Sequence, residues 1–238
     1  MDLKEEAILG DSAASHWYYR AKSAAMLRML GSAPIGDILD VGAGSGFFSR
    51  VLLDRTSATG ATCVDPNYAR EHAEIHNTKP IRFAFRVNRF PGDLVLMMDV
   101  LEHVPDDTAL LAEYAACVSP RTRFLITVPA LQWMWSGHDV FLEHYRRYTL
   151  RQVDRLIARV GLKPLASSYY YGFTLPIAAA ARIPGRIASG GRVVAASGMK
   201  RHSPLVNGAL AALCAAELPL LGHNKLAGLS VFALAEKP

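Results

Sequence analysis

Apolar residues along this chain come in two rhythms. Short continuous apolar runs predict buried strands near 37–41, 60–65, 81–85, 93–98, 122–128 and 164–171. Between them apolar positions recur every three or four residues, which predicts helices. The first covers 12–31, with its stripe through Trp17, Ala21, Ala24, Ala25, Leu27 and Leu30. Others are expected near 46–54, 67–75, 107–117 and 150–160. The helix at 107 follows Pro105-Asp106-Asp107, where acids suit a helix N-terminus. The helix at 150 stops before Gly161, a residue that suits a helix end. A last run, Leu229 to Ala235, predicts a final strand. Strands alternating with helices predict an α/β fold built on a parallel, doubly wound sheet.

Residues 173–222 break that rhythm. They are apolar, alanine-rich and interrupted at Pro176, Pro184, Gly190-Gly191, Pro204 and Pro219. The apolar stretch 205–222 contains Asn207, Glu217 and Pro219, too many interruptions for a membrane span. Two or three helices inserted before the last strand are expected. The 238 residues then form a single domain: a helical cap over 1–35, a core over 36–172, the insert over 173–222 and the final strand within 223–238.

Charge sharpens this division. The formal net charge is +5, yet no acidic residue lies between Arg155 and Ala216, a stretch with eight Lys and Arg. The rest of the chain is net negative. Basic, apolar helices suit an anionic membrane surface, a hydrophobic acceptor tunnel or a dimer interface, and ordinary core packing stays open. Nucleic acid is not expected, because the basic residues are sparse and aromatics are nearly absent from the insert. Cys63, Cys117 and Cys214 are widely spaced and odd in number, which points to neither a disulfide framework nor a zinc cluster. The acidic start, Met1 to Glu6, shows no secretory signal, so a cytoplasmic protein is expected, with the inner membrane face as an optional docking surface.

The densest chemical signal is Ile38-Leu39-Asp40-Val41-Gly42-Ala43-Gly44-Ser45-Gly46-Phe47-Phe48. An apolar strand, an acid, a glycine turn and a helix start in succession make a nucleotide pocket at a strand's carboxyl end. The spacing is G-x-G-x-G. Phe47 stands where the dinucleotide fingerprint has its third glycine, which argues against a bound pyrophosphate and an NAD-dependent oxidoreductase. Asp65 follows the second strand, 19 residues after Gly46, where a carboxylate can accept bonds from two ribose hydroxyls.

The glycine segment resembles motif I of class I S-adenosylmethionine-dependent methyltransferases. Thr62-Cys63-Val64-Asp65-Pro66, Asp93 to Val104 and Phe124 to Pro129 resemble the second, fourth and fifth strands of the same family, in order. The resemblance covers roughly 36–165 and is similar to bacterial methyltransferases of lipid and surface-glycan biosynthesis. It implies a Rossmann-like, seven-stranded sheet with an antiparallel last strand. It also implies S-adenosyl-L-methionine as cofactor, S-adenosyl-L-homocysteine as product, and a small or lipid-linked acceptor methylated on oxygen or carbon. A soluble natural-product or quinone methyltransferase is the alternative, and a non-catalytic cofactor-binding protein of the same fold is a further one.

The resemblance assigns the cofactor to Gly42, Ala43, Gly44, Asp65, Pro66, Asp99 and Val100, with Asp40 orienting the methionine end. Arg20 is a candidate partner for the methionine carboxylate, and Trp17 and Tyr19 for a lid over the ligands. Acceptor-side bases are sought at His103, His138 and His144. Trp135, Arg146, Arg147 and Tyr148 belong to a segment similar to a Trp-Ser-x-His-Asp…His-x-Arg-Arg-Tyr motif of the bacterial relatives. The two arginines suit an acceptor phosphate or carboxylate, or internal pairing with Asp139 and Glu143. Asp99-x-x-Glu102-His103 also resembles the metal site of some methyltransferases acting on quinones or RNA ends. Glu-His-Val is widespread in metal-free relatives, and no metal is expected.

Overall fold

A computed structural model describes residues 9–188 and 193–238. The acidic N-terminal hexapeptide and the Gly190-Gly191 break lie outside the described residues. Eight strands form one sheet: β1 Asp37–Val41, β2 Gly60–Val64, β3 His72–His76, β4 Lys79–Ala84, β5 Leu94–Met98, β6 Arg123–Pro129, β7 Lys163–Tyr170 and β8 Ser230–Glu236. Their order is β3-β4-β2-β1-β5-β6-β8-β7. β4, β2, β1, β5 and β6 run parallel, and β8 lies antiparallel between β6 and β7.

The helices are α1 Trp17–Leu30, α2 Phe47–Arg55, α3 Asp107–Cys117, α4 Gly137–Phe141, α5 Leu150–Arg159, α6 Leu175–Ala188 and α7 Pro204–Glu217. The central strands are buried on both faces, which explains their unbroken apolar runs. Alternate residues supply two cores. Ile38, Leu94, Leu96 and Met98 pack with Met26 of α1 and Leu52 of α2 on one face. Leu39, Val41, Val95, Met97 and Ile126 pack with Leu111 of α3 and Ile157 of α5 on the other.

The sheet has one strand more than the seven expected. Residues 72–76, read as part of a helix near 67–75, form β3 instead, an antiparallel edge strand on β4. Asn77 and Thr78 between them both hold positive φ (48° and 70°), as a two-residue hairpin turn demands. The hairpin is tied to the end of α2, where Asp54 accepts from Asn77 Nδ2 and pairs with His76, each at 2.8 Å. Turn chemistry here overrides the helical spacing.

Chain order sets where a ligand can bind. From β1 the chain winds outward through β2 to β4, then returns to β5 on β1's other side. This reversal opens a crevice at the carboxyl ends of β1 and β5. Val41 is in register with Val64 and Met97, so the loops after three strands meet at one level. The insert supplies α6, α7 and an irregular strap over 193–203. α7 packs on α1 through Ala21, Ala25 and Cys214. Its buried Glu217 accepts the Gly172 and Phe173 amides (2.7 and 3.0 Å), just ahead of α6.

Candidate active site

The crevice is a cavity of about 870 Å³, within the roughly 300–1,000 Å³ usual for small-molecule sites. Its walls include Gly42, Gly44, Asp65, Pro66, Asp99 and Val100 from the strand ends. His103, His144 and Arg147 come from the segments after β5 and β6, His138 from α4, and Trp17, Tyr19 and Lys22 from the cap.

The glycine turn is shaped by backbone geometry. Gly42, Gly44 and Gly46 have φ of 63°, 52° and 73°, a region costly for residues with a Cβ. At Gly42 a Cβ would lie 2.8 Å from Val100 Cγ2, so the turn can sit against the β5 loop only without a side chain. Asp65 accepts the Gly44 amide at 3.3 Å and the Asn67 amide at 2.9 Å. Each carboxylate oxygen keeps accepting capacity beyond those bonds. A tight glycine cradle beside a fixed, cavity-lining acid fits an adenosyl ligand.

Asp40 is placed differently from its assignment. It is only 2% exposed, does not line the cavity, and accepts from Ser49 Oγ at 2.8 Å. Burial raises its carboxyl to about 6. Asp40 braces the start of α2 beneath the turn. Ala43 is likewise buried behind the cavity wall.

The cap was expected to present Arg20. Arg20 is exposed and lies outside the cavity lining, because α1 turns another face inward. The inward cation is Lys22, 1% exposed, whose ammonium is bonded to the Asp99 carboxylate. Thr127 Oγ1 donates to the same carboxylate at 2.9 Å, and Tyr18 OH reaches it at 3.3 Å. Burial alone would raise Asp99, but Lys22 and Thr127 outweigh it and hold the carboxyl below its ordinary value. Asp99 has φ of 57°, a strained geometry fixed by its amide bonds to Thr127. Sequence reasoning missed Lys22. Its signal was the Tyr18-x-x-x-Lys22 spacing, a lysine one turn beyond an aromatic on the apolar face.

A second cluster faces the cavity around Glu102. Glu102 has 0% exposure, and neither carboxylate oxygen finds a hydrogen-bond partner among the described residues. Burial first, then the Asp99 charge, pushes its carboxyl well above its ordinary value. The His103 and His144 rings meet edge to face, centroids 4.6 Å apart. His144 Nδ1 lies 3.1 Å from Asp139 Oδ1. Asp139 is fully buried and gripped by Arg147 through two bonds of 2.7 and 2.9 Å. Burial would raise Asp139, yet the bonds from His144 and Arg147 hold it far below the carboxylate range. An ionised carboxylate only accepts, so His144 must donate from Nδ1, and in the neutral ring Nε2 is then the nitrogen that carries the lone pair.

Of the remaining candidates, Arg147 lines the cavity but is committed to Asp139, so internal pairing prevails there. Arg146 lies outside the main cavity. It pairs with Asp107 at 3.2 Å and donates to the Val104 carbonyl at 3.0 Å. Tyr148 is buried, donating to Leu101 O and Asp107 on the far side of that loop. Trp135 is not in the cavity wall. His138 is in the wall, but its Nδ1 accepts the Gly198 amide at 3.0 Å and so anchors the strap. The strap is also tied to the cap, with His16 Nε2 3.2 Å from Lys200 O. Trp17 lines the cavity with its indole Nε1 buried and unpartnered among the described residues.

The methyltransferase domain family matches residues 14–167. The chain belongs to that family. It is an S-adenosylmethionine-dependent methyltransferase. A search of curated proteins finds no match to this methyltransferase. Among solved structures it is similar to a methyltransferase of Haloferax volcanii in complex with the Trm112 activator, with 12% identity and a TM-score of 0.57, covering 100% of this chain and 99% of that one. An S-adenosylmethionine-dependent methyltransferase of Archaeoglobus fulgidus gives 13% identity and a TM-score of 0.55, covering 99% and 98%. A phosphoethanolamine methyltransferase of Haemonchus contortus, solved with phosphomonomethylethanolamine and S-adenosylhomocysteine, gives 16% identity and a TM-score of 0.57. There the chain covers 98% of itself but 56% of the relative. At these identities the structural likeness concerns the fold.

Proposed function

We propose that this methyltransferase modifies an oxygen or carbon of a small acceptor that shares one cavity with the cofactor. The observation that carries the reading is that one cavity is lined by two chemically distinct sets of residues. Gly42, Gly44 and Asp65 are one; Glu102, His103 and His144 are the other. Asp65 would hold the ribose, the glycine turn would admit the methionine end, and Val100 would border the adenine. Lys22, two residues beyond Arg20 and already paired with Asp99, is the cation that the cap presents to the cavity among the described residues. Bound, the cofactor supplies a methyl group that is already activated. The protein's task is therefore alignment, exclusion of water, and activation of the acceptor atom. The Glu102–His103–His144 cluster is the group placed to activate it, and Trp17 offers an indole donor for orientation.

A lipid-linked acceptor is a second reading, supported by large apolar side chains left in solvent on and beside the insert. Leu205, Val194 and Leu226 are 83%, 79% and 91% exposed. Among the described residues no helix is long and apolar enough to cross a membrane, so such contact would be peripheral. Flotation with vesicles containing anionic lipid tests it. Wild type should float, and a Leu205→Ser, Leu226→Ser variant should not; equal behaviour of the two, or no flotation at all, removes this reading. The primary reading is tested by turnover of a panel of hydroxylated and enolisable acceptors. His103→Ala should lower methylation roughly 10²–10⁴-fold while leaving cofactor affinity intact. Full turnover by that variant would remove the cluster from the reaction.

A further inference from the structure

Glu102, His103 and His144 each offer one ligand atom to a common point, and these atoms all lie within 4.8 Å of one another. We propose that they form a site for a divalent transition cation on the acceptor side of the cavity. The proposal deepens the proposed function, because it states how the acceptor-side cluster acts.

Three observations carry it. First, the Glu102 carboxylate is fully buried and neither oxygen has a partner among the described residues, an arrangement that costs free energy unless a cation or proton arrives. Second, His144 Nε2 is buried and has no partner among the described residues, while its Nδ1 is held by Asp139. A carboxylate behind the far ring nitrogen fixes the ring's orientation, as it does for metal-bound histidines. Arg147 and the Ser136 amide (2.7 Å) in turn hold Asp139, so the imidazole is oriented in advance. Third, all three ligand residues line the cavity, which leaves the remaining coordination positions facing the acceptor space. Three protein ligands and an open position mark a catalytic rather than a structural site.

Asp99 is excluded from the set. Its carboxylate is committed to Lys22 and Thr127, although its spacing in the sequence pointed to it. His144, 41 positions beyond His103, takes the place that spacing gave to Asp99. The expectation of no metal was drawn without that residue. Two imidazole nitrogens and one carboxylate oxygen suit Zn²⁺, Mn²⁺ or Co²⁺ better than Mg²⁺ or Ca²⁺, which prefer oxygen. Bound there, the cation would polarise an acceptor oxygen and lower its pKa.

The test is binding, independent of turnover. Full-length protein is stripped with chelator, then titrated with Zn²⁺ by calorimetry and with Co²⁺ by visible absorption. One equivalent per chain is expected, with cobalt bands of a nitrogen- and oxygen-ligated ion. His144→Gln and Glu102→Gln should each weaken binding at least tenfold. S-adenosylmethionine affinity and the circular dichroism spectrum of each variant should match wild type, which shows that fold and cofactor half are intact. If a variant fails to fold, His103→Gln replaces it in the same comparison. No stoichiometric binding by wild type, or binding that survives these substitutions, overturns the site. Loss of S-adenosylmethionine binding in wild type would strike the cofactor reading instead, so the two failures are distinct.

Discussion

The two walls of the cavity are built by different means. The proposed cofactor wall is local in sequence: Gly42, Gly44 and Asp65 lie within 24 residues, and backbone geometry does most of the shaping. The proposed acceptor wall is assembled from side chains of two separate loops. His144 is oriented by Asp139 and Asp139 by Arg147, while Glu102 has no partner among the described residues. A wall made of backbone tolerates little change at its glycines. A wall made of a buried polar network depends on every member being satisfied.

That contrast yields predictions of graded size. The largest concerns chemistry. His103→Ala should lower turnover roughly 10²–10⁴-fold, the range of a lost acid–base group, with S-adenosylmethionine affinity within about threefold of wild type. Steady-state kinetics and calorimetry together check both halves of that statement.

Next come the two neighbouring arginines, which separate network from surface. Arg147→Ala strands buried Asp139 and should cost about 3–5 kcal/mol of stability. Arg146→Ala removes a partly exposed pair with Asp107 and should cost about 1 kcal/mol or less. Urea denaturation of both variants decides; equal losses would mean the network is not the acceptor wall's support. Because Asp139 is depressed in the folded state, its contribution is present above the unfolded carboxylate range near pH 4. It is lost as pH falls further, and Arg147→Ala should flatten that acid limb.

A smaller effect is expected at the turn. Gly42→Ala adds a Cβ at positive φ, 2.8 Å from Val100 Cγ2. About 1–2 kcal/mol of backbone strain should weaken cofactor binding by roughly tenfold or more. Unchanged affinity would show that the turn does not approach the ligand.

Asp40 gives the gentlest test. Its folded carboxyl is raised to about 6 from an ordinary 3.8. Between those values the folded state holds the extra proton, so this group's contribution to stability falls as pH rises, and the deficit is complete above about 6. Asp40→Asn keeps an acceptor for Ser49 and should stabilise the protein by about 1–3 kcal/mol at pH 8. The gain should shrink toward pH 4, as denaturation at the two pH values would reveal.

How much could be read in advance follows the same division. The strands of the central sheet were legible because both faces are buried and their apolar runs are continuous. The glycine turn was legible because φ above zero selects glycine. β3 was not, since the Asn77-Thr78 turn decides its fate and helical spacing competes with it. Lys22 was hidden because a lysine on a helix face reads as solvated, and only the tertiary position of Asp99 shows otherwise. The assembly of Glu102, His103 and His144 was hidden because it depends on where the loop after β6 folds back, which no local pattern encodes. Arg146 and Arg147 were indistinguishable in sequence, and their neighbours alone separate them.

As proposed, cofactor binding and acceptor chemistry fall to different residues lining one cavity. Calorimetry with S-adenosylmethionine on Asp65→Ala and His103→Ala, side by side, tests it most directly. Asp65→Ala should lose most of its affinity, while His103→Ala should bind as wild type does. Equal affinities in the two variants, or loss confined to His103→Ala, would contradict it.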